Sequence, residues 1–66
     1  MKKFRGGDVM LEKLDKHGNL KSIVVYQQFD LGMKFKVYTK VDGRWRYADA
    51  FDSLVKAGRY CDGYAK

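Results

Sequence analysis

The chain has 66 residues, and 14 Lys and Arg against 8 Asp and Glu give it a formal net charge of +6 at pH 7. This length holds one small domain, over residues 1–66, and the single cysteine excludes an internal disulfide. No run approaches the about 20 apolar residues that a membrane-spanning helix needs, and no Cys/His cluster suits a metal. We expect no cofactor, no membrane contact and, with a lone thiol and no signal-type segment, a cytoplasmic location.

The first seven residues are basic and end in two glycines. This composition is typical of a short flexible arm, and we predict one over residues 1–7.

Residues 8–47 alternate apolar and polar side chains between glycines that suit hairpin turns. Three-residue loops, each closed by a left-handed glycine, would cover residues 16–18, 30–32 and 41–43. A two-residue Asp42-Gly43 loop is the alternative at the last turn, but it would put Lys40 opposite Trp45 and mix charged with apolar residues on each face. Because burial favours the register that separates them, we predict the three-residue loop.

These loops define a register for a four-stranded meander. The predicted cross-strand pairs are Leu14–Leu20, Leu11–Ile23, Val9–Val25, Phe29–Met33, Gln27–Phe35, Val25–Val37, Ile23–Thr39, Lys40–Arg44, Thr39–Trp45, Tyr38–Arg46 and Val37–Tyr47. One face of the sheet then becomes continuously apolar, with Val9, Leu11, Ile23, Val25, Met33, Phe35, Val37, Trp45 and Tyr47. Such a face needs a covering element.

Residues 49–58 are the candidate for that cover. Asp49 is a plausible N-cap, Leu54 and Val55 follow Phe51 at helical spacing, and Gly58 suits a left-handed stop. The predicted fold is therefore α+β, a four-stranded antiparallel β-meander packed on one face by a C-terminal α-helix (ββββα). Residues 59–66 are predicted as a tail or a short fifth strand.

The opposite sheet face is predicted to be cationic and open. Its residues would be Lys34, Lys36, Tyr38, Lys40, Arg44 and Arg46. Five cations without a neighbouring acid repel one another, and a bound anion would reduce this repulsion. A basic face is also typical of nucleic-acid binders. The cations would contact phosphates, or an arginine would read guanine edges, while Tyr38 stacks or positions.

A second predicted surface beside the cations is apolar and would be exposed on the open face. Its residues are Met10, Leu14, Leu20, Val24 and Tyr26. Exposed apolar patches often mark protein contacts, so a protein partner or a homodimer is expected there, unless one of the chain termini covers it.

Candidate catalytic residues are sparse. His17 lies in a predicted turn without a neighbouring acid or base, and Cys61 has no paired histidine. Residues 15–26 begin like a calcium loop, but Tyr26 stands where the closing glutamate would be. The sequence therefore predicts a protein that is not an enzyme and has no small-molecule substrate.

The predicted sheet-then-helix order over residues 20–58 resembles, in topology alone, the plant GCC-box domain and the arm-binding domain of tyrosine integrases. In those families the sheet docks in the DNA major groove and the helix backs it. The function predicted from the residues is non-enzymatic binding of DNA or RNA. The alternative is a small phage- or mobile-element-type modulator that binds and inhibits a host protein, and a ribosome-associated accessory protein is also compatible.

Overall fold

A computed structural model describes residues 2–30 and 32–64, which form one antiparallel sheet and one helix. The elements are β1 Lys3–Phe4, β2 Gly7–Leu14, β3 Leu20–Asp30, β4 Met33–Val41, β5 Arg44–Phe51 and α1 Leu54–Tyr64. Neighbouring strands pair in chain order, from β1 to β5. The α+β class with a C-terminal helix is confirmed, but the sheet has five strands instead of four. The additional strand, β1, lies within the segment predicted to be a flexible arm.

The first long hairpin, between β2 and β3, closes as predicted. Asp15 donates its backbone N–H to the carbonyl of Asn19 at 2.8 Å, and Gly18 has a φ of 81°. Leu14 pairs with Leu20 and Val9 with Val25, as expected. The predicted Leu11–Ile23 pair is wrong, because a bulge between Val9 and Leu11 shifts the register and pairs Leu11 with Val24.

The last hairpin, between β4 and β5, differs from its prediction, and the three-residue loop of residues 41–43 is wrong. Val41 pairs with Arg44 across a two-residue turn, in which Asp42 and Gly43 have φ angles of 52° and 78°. Positive φ at both positions is the type I′ geometry, which matches the right-handed twist of the flanking strands and favours Asp-Gly. The twist and the turn residues therefore decide this register, and Lys40 lies opposite Trp45. The other predicted pairs of this hairpin are also wrong, since Tyr38 faces Tyr47 and Thr39 faces Arg46.

The hairpin between β3 and β4 is likewise offset from its prediction. Val24 pairs with Val37, Ile23 with Tyr38 and Tyr26 with Phe35, where the prediction had Val25–Val37, Ile23–Thr39 and Gln27–Phe35. Asp30 rather than Phe29 pairs with Met33, after an irregularity in the ladder. Of the predicted loop, Leu31 lies outside the described residues.

These registers give the sheet two apolar sides instead of one. The side that we call the helix face packs Val24 and Val37 against Ala57 and Cys61 of α1. Around them are Leu11, Phe35, Ala48, Phe51 and Leu54. The side that we call the N-terminal face buries Ile23, Val25 and Tyr38 under Phe4, Val9, Leu20 and Trp45. The predicted division into one apolar and one cationic face is therefore wrong.

The helix begins later and ends later than the predicted span of residues 49–58. Ser53 is its N-cap, with Oγ accepting hydrogen bonds from the backbone N–H of Val55 at 3.1 Å and of Lys56 at 3.5 Å. Asp49, the predicted cap, lies in β5. Gly58, the predicted stop, lies inside α1, and residues 59–64 of the predicted tail are helical.

Cys61 belongs to the core between α1 and the sheet. Its side chain is buried, and burial raises the pKa of the thiol, a rise that the nearby Ser22 hydroxyl and Lys13 ammonium partly offset. The buried Ser22 hydroxyl has no well-aligned hydrogen-bond partner within residues 2–30 and 32–64. This environment favours an inert, packed thiol over a nucleophile.

Candidate nucleic-acid interface

A row of aromatic rings crosses the N-terminal face from one edge of the sheet to the other. The Phe4 ring lies 4.8 Å from the Tyr38 ring and 5.8 Å from the Trp45 ring, measured between centroids. The Tyr47 ring lies 6.0 Å from that of Tyr38. Because Phe4 comes from the first strand and Trp45 from the last, the sheet curls enough to bring its two edges together on this side.

Two tight turns place these rings. The Asp42-Gly43 turn sets Trp45 and Tyr47 opposite Lys40 and Tyr38. At the other edge, a turn through Arg5 and Gly6, with φ angles of 48° and 86°, folds β1 back on β2.

Cationic side chains lie over the same rings. The guanidinium carbon of Arg5 is 5.1 Å from the Phe4 centroid and 5.2 Å from that of Tyr38. The Lys40 ammonium is 5.5 Å from the Trp45 centroid. All three distances are within the range of a cation–π interaction, which holds each charge against an apolar surface without neutralising it.

Gln27 forms hydrogen bonds with residues from two parts of this surface, Arg5 in the first turn and Lys36 in β4. Its side-chain amide donates to the Arg5 carbonyl at 3.4 Å and accepts from the Lys36 ammonium at 3.3 Å. We call the whole surface the aromatic–cationic face. It consists of Arg5, Lys36, Lys40, Trp45 and Tyr47, above the half-buried Phe4 and the buried Tyr38.

Four salt bridges between described residues lie away from this face. The salt bridges are Lys2–Glu12 at 3.0 Å, Lys3–Asp8, Lys13–Asp62 at 2.7 Å and Lys56–Asp52 at 3.2 Å. They lie at the N-terminus, along β2 and on α1. Within the described ranges, no carboxylate forms an ion pair with Lys34, Lys40, Arg44 or Arg46. None of these salt bridges therefore neutralises those four cations of the β4–β5 hairpin.

The structure divides the predicted cationic set between the two sides of the sheet. Lys34, Lys36 and Lys40 alternate with the helix-face residues of β4 and so share the N-terminal face with Tyr38. Arg44 and Arg46 pair with Val41 and Thr39 and lie on the helix face. The prediction of one surface holding all six residues is wrong, as is that of an open Tyr38 ring, because Tyr38 is only 5% exposed.

The predicted protein-contact patch is also dispersed. Val24 is fully buried in the core, and Leu20 packs in the cluster of the N-terminal face. Met10, Leu14 and Tyr26 are exposed, but Tyr26 packs on Phe35 of the helix face, with 5.5 Å between ring centroids. The five residues do not form one apolar surface.

Sequence reasoning missed Phe4, Arg5, Trp45 and Tyr47 as members of the candidate site. The detectable signal for the last two was the Asp42-Gly43 dipeptide, whose preference for a two-residue type I′ turn brings them beside Lys40. Phe4 and Arg5 gave a weaker signal, the Arg5-Gly6-Gly7 run that permits a tight turn.

The described part of the chain was also compared with the requirements of a metal site and of a membrane-spanning helix. No three His, Cys, Asp or Glu side chains of residues 2–30 and 32–64 lie close enough together to hold a metal ion. Within these residues, no helix has the length and apolar character required to cross a membrane. His17 is an exposed turn residue whose backbone N–H binds the Asp15 carboxylate.

Comparisons with known proteins identify no relative. The chain matches no protein-family model, and no curated protein or solved structure is significantly similar to it. The topological resemblance to the GCC-box and integrase arm-binding domains therefore gains no support, and the candidate site has to be argued from its own geometry.

Proposed function

We propose that the protein binds nucleic acid, without enzymatic activity, through its aromatic–cationic face. The observation that carries this proposal is the placement of Arg5 and Lys40 over aromatic rings, next to a Tyr47 side chain that is 55% exposed. We further propose that it acts in the cytoplasm, where nucleic acids are present and the Cys61 thiol stays reduced.

The two kinds of side chain match the two parts of a nucleotide. Phosphates attract ammonium and guanidinium groups and release counterions on binding, which supplies affinity without sequence preference. Bases stack on aromatic rings, and each stacked base contributes about 1–3 kcal/mol. A surface with both at contact distance can hold a backbone and its bases together.

The alternative, a modulator that binds a host protein, has less support. It rests on the short chain, the absence of an active-site pattern and a predicted apolar patch beside the cations, and the predicted members of that patch lie in separate places. Leu14 is 57% exposed and Val55 63% exposed, but single exposed apolar side chains are common on ordinary protein surfaces.

A salt titration with two matched double variants tests the proposal. Arg5→Gln with Lys40→Gln removes two charges from the aromatic–cationic face, whereas Arg44→Gln with Arg46→Gln removes two from the helix face. Binding of fluorescently labelled oligonucleotides would be measured by anisotropy at about 50 mM and about 200 mM salt. We expect the first pair to weaken binding about tenfold or more and to reduce the salt slope by about 1.4, which is two single-strand phosphate contacts.

The helix-face pair is the control for net charge. It should weaken binding only modestly, with a nearly unchanged salt slope. If it weakened binding as much as the first pair, the assignment of the aromatic–cationic face would be wrong. If the wild-type protein bound neither single strands nor duplex at low salt, the proposed function would be refuted.

A further inference from the structure

An open groove with apolar walls runs along the N-terminal face beside β1. Phe4, Val9, Leu20, Ile23 and Trp45 line it, and its volume is about 340 Å³. Lys2, Lys3 and Glu12 also line this groove. Trp45 therefore belongs both to the groove wall and to the row of rings, so a ligand on the aromatic–cationic face reaches the groove directly.

A second groove adjoins the first at Leu20, which lines both. It has a volume of about 320 Å³, and Lys21, Lys40 and Asn19 are among its walls. Two carboxylates, Asp15 and Asp42, also border it, but Asp15 already accepts backbone hydrogen bonds from His17 and Asn19. The two grooves together form a strip from β1 to the β4–β5 turn, with ammonium groups along both parts.

The charges around the first groove are available to an anionic ligand. Lys2 and Lys3 pair with Glu12 and Asp8, but the lysine side chains are 73% and 71% exposed. Exposed ion pairs of this kind contribute little to stability, so a phosphate can take over either lysine at small cost. The groove lining carries two ammonium groups, Lys2 and Lys3, and one carboxylate, Glu12, so its net charge stays positive when a phosphate displaces Glu12 from Lys2.

We infer that this groove takes one unstacked base of a single strand, and that the protein consequently prefers single-stranded nucleic acid to duplex. The inference rests on the proposed function and adds a substrate class to it. An apolar slot is filled favourably by the flat face of a base, which only a single strand, loop or end can turn outward. In a duplex the base faces are stacked inside, so that Leu20 in the groove wall would gain no contact.

Trp45 is the only tryptophan of the chain, and its fluorescence reports on the groove. Oligothymidylate of about 16 nucleotides and a duplex of similar length would be titrated at about 50 mM salt. We expect the single strand to quench Trp45 and to bind about tenfold more tightly than the duplex.

Leu20→Gln tests the groove wall, and Leu14→Gln is its matched control. The two leucines are cross-strand partners, but Leu14 is not part of the groove lining. Leu20→Gln should weaken single-strand binding about fivefold or more while duplex binding stays unchanged. Leu14→Gln should change neither. Circular dichroism would establish that both variants are folded, and wild-type Trp45 quenching gives a result that needs no variant.

The two proposals fail in different ways. Salt-sensitive binding of single strand and duplex with equal affinity would overturn the groove and leave the nucleic-acid function standing. The groove would also be refuted if folded Leu20→Gln bound single strands like the wild type. Absence of any binding at low salt would refute both proposals.

Discussion

Asp15 shows how one side chain fixes a turn. Its Oδ1 accepts hydrogen bonds from the backbone N–H of His17 at 2.8 Å and of Asn19 at 3.0 Å. The Asn19 bond is the main cause of a pKa below the ordinary value of 3.8, with His17 adding to it. A carboxyl whose folded-state pKa is lowered stabilises the fold above its unfolded pKa, and this contribution is lost as the pH falls through the folded pKa.

We therefore predict that Asp15→Asn reduces the acid sensitivity of the fold. The amide keeps an acceptor for the turn but does not titrate, so the variant should lose less stability than the wild type between about pH 5 and about pH 2. Urea unfolding at a series of pH values would measure the difference. Equal losses in the two proteins would contradict a stabilising role of the ionised Asp15.

At the scale of single elements, we predict opposite effects on stability when two glycines, one in β2 and one in α1, are replaced by alanine. A Cβ at Gly7 would collide with the Val25 side chain and come within 2.9 Å of the Tyr26 carbonyl oxygen, so β2 packs there only without a side chain. At Gly58, inside α1, the nearest atom would be the Leu11 Cδ2 at 3.5 Å, an ordinary contact. Gly7→Ala should destabilise the protein by about 2 kcal/mol or more. Gly58→Ala should stabilise it by about 0.5–1 kcal/mol, since alanine favours a helix interior.

Urea denaturation of the two variants checks this pair of predictions. Their free energies of unfolding should move in opposite directions from that of the wild type. A stabilised Gly7→Ala variant would contradict the close approach of β2 to Val25, and a destabilised Gly58→Ala variant would contradict the helical path through residue 58.

The turns also explain which elements the sequence could predict. The predicted loop of residues 16–18 is confirmed, because Gly18 supplies the left-handed position there. At Asp42-Gly43 the preference for separating apolar from charged residues predicts a three-residue loop. The structure has a two-residue turn instead, because that turn matches the twist of the strands. The predicted helix begins too early because Asp49 resembles an N-cap, whereas β5 continues through Phe51 and Ser53 makes the capping hydrogen bonds. Local residue preferences identified the elements, but their ends depended on tertiary packing.

At the scale of the molecule, the candidate site was only partly predictable. Lys36 and Lys40 follow from alternation along β4, and they lie on one side as expected. Their aromatic neighbours depend on a one-residue choice of register, which transfers Trp45 and Tyr47 from one side of the sheet to the other. Phe4 depends on the curl of the whole sheet, which alternation along single strands does not encode.

The distribution of charge makes a last prediction for the whole molecule. The protein measures 35 × 21 × 20 Å, and electrostatic screening extends about 30 Å at about 0.01 M salt but only about 8 Å at about 0.15 M. At low salt, nearly every charge of the protein therefore interacts with every other. With a net charge of +6, the total electrostatic interaction is repulsive. We expect sodium chloride to raise the thermal midpoint by a few degrees over this range, because the four salt bridges between described residues are partly or fully exposed and contribute little. Arg44→Gln with Arg46→Gln should reduce this rise, since it removes repulsion on the β4–β5 hairpin. A midpoint that fell with added salt would show that the ion pairs, and not the clustered cations, dominate the electrostatics of the fold.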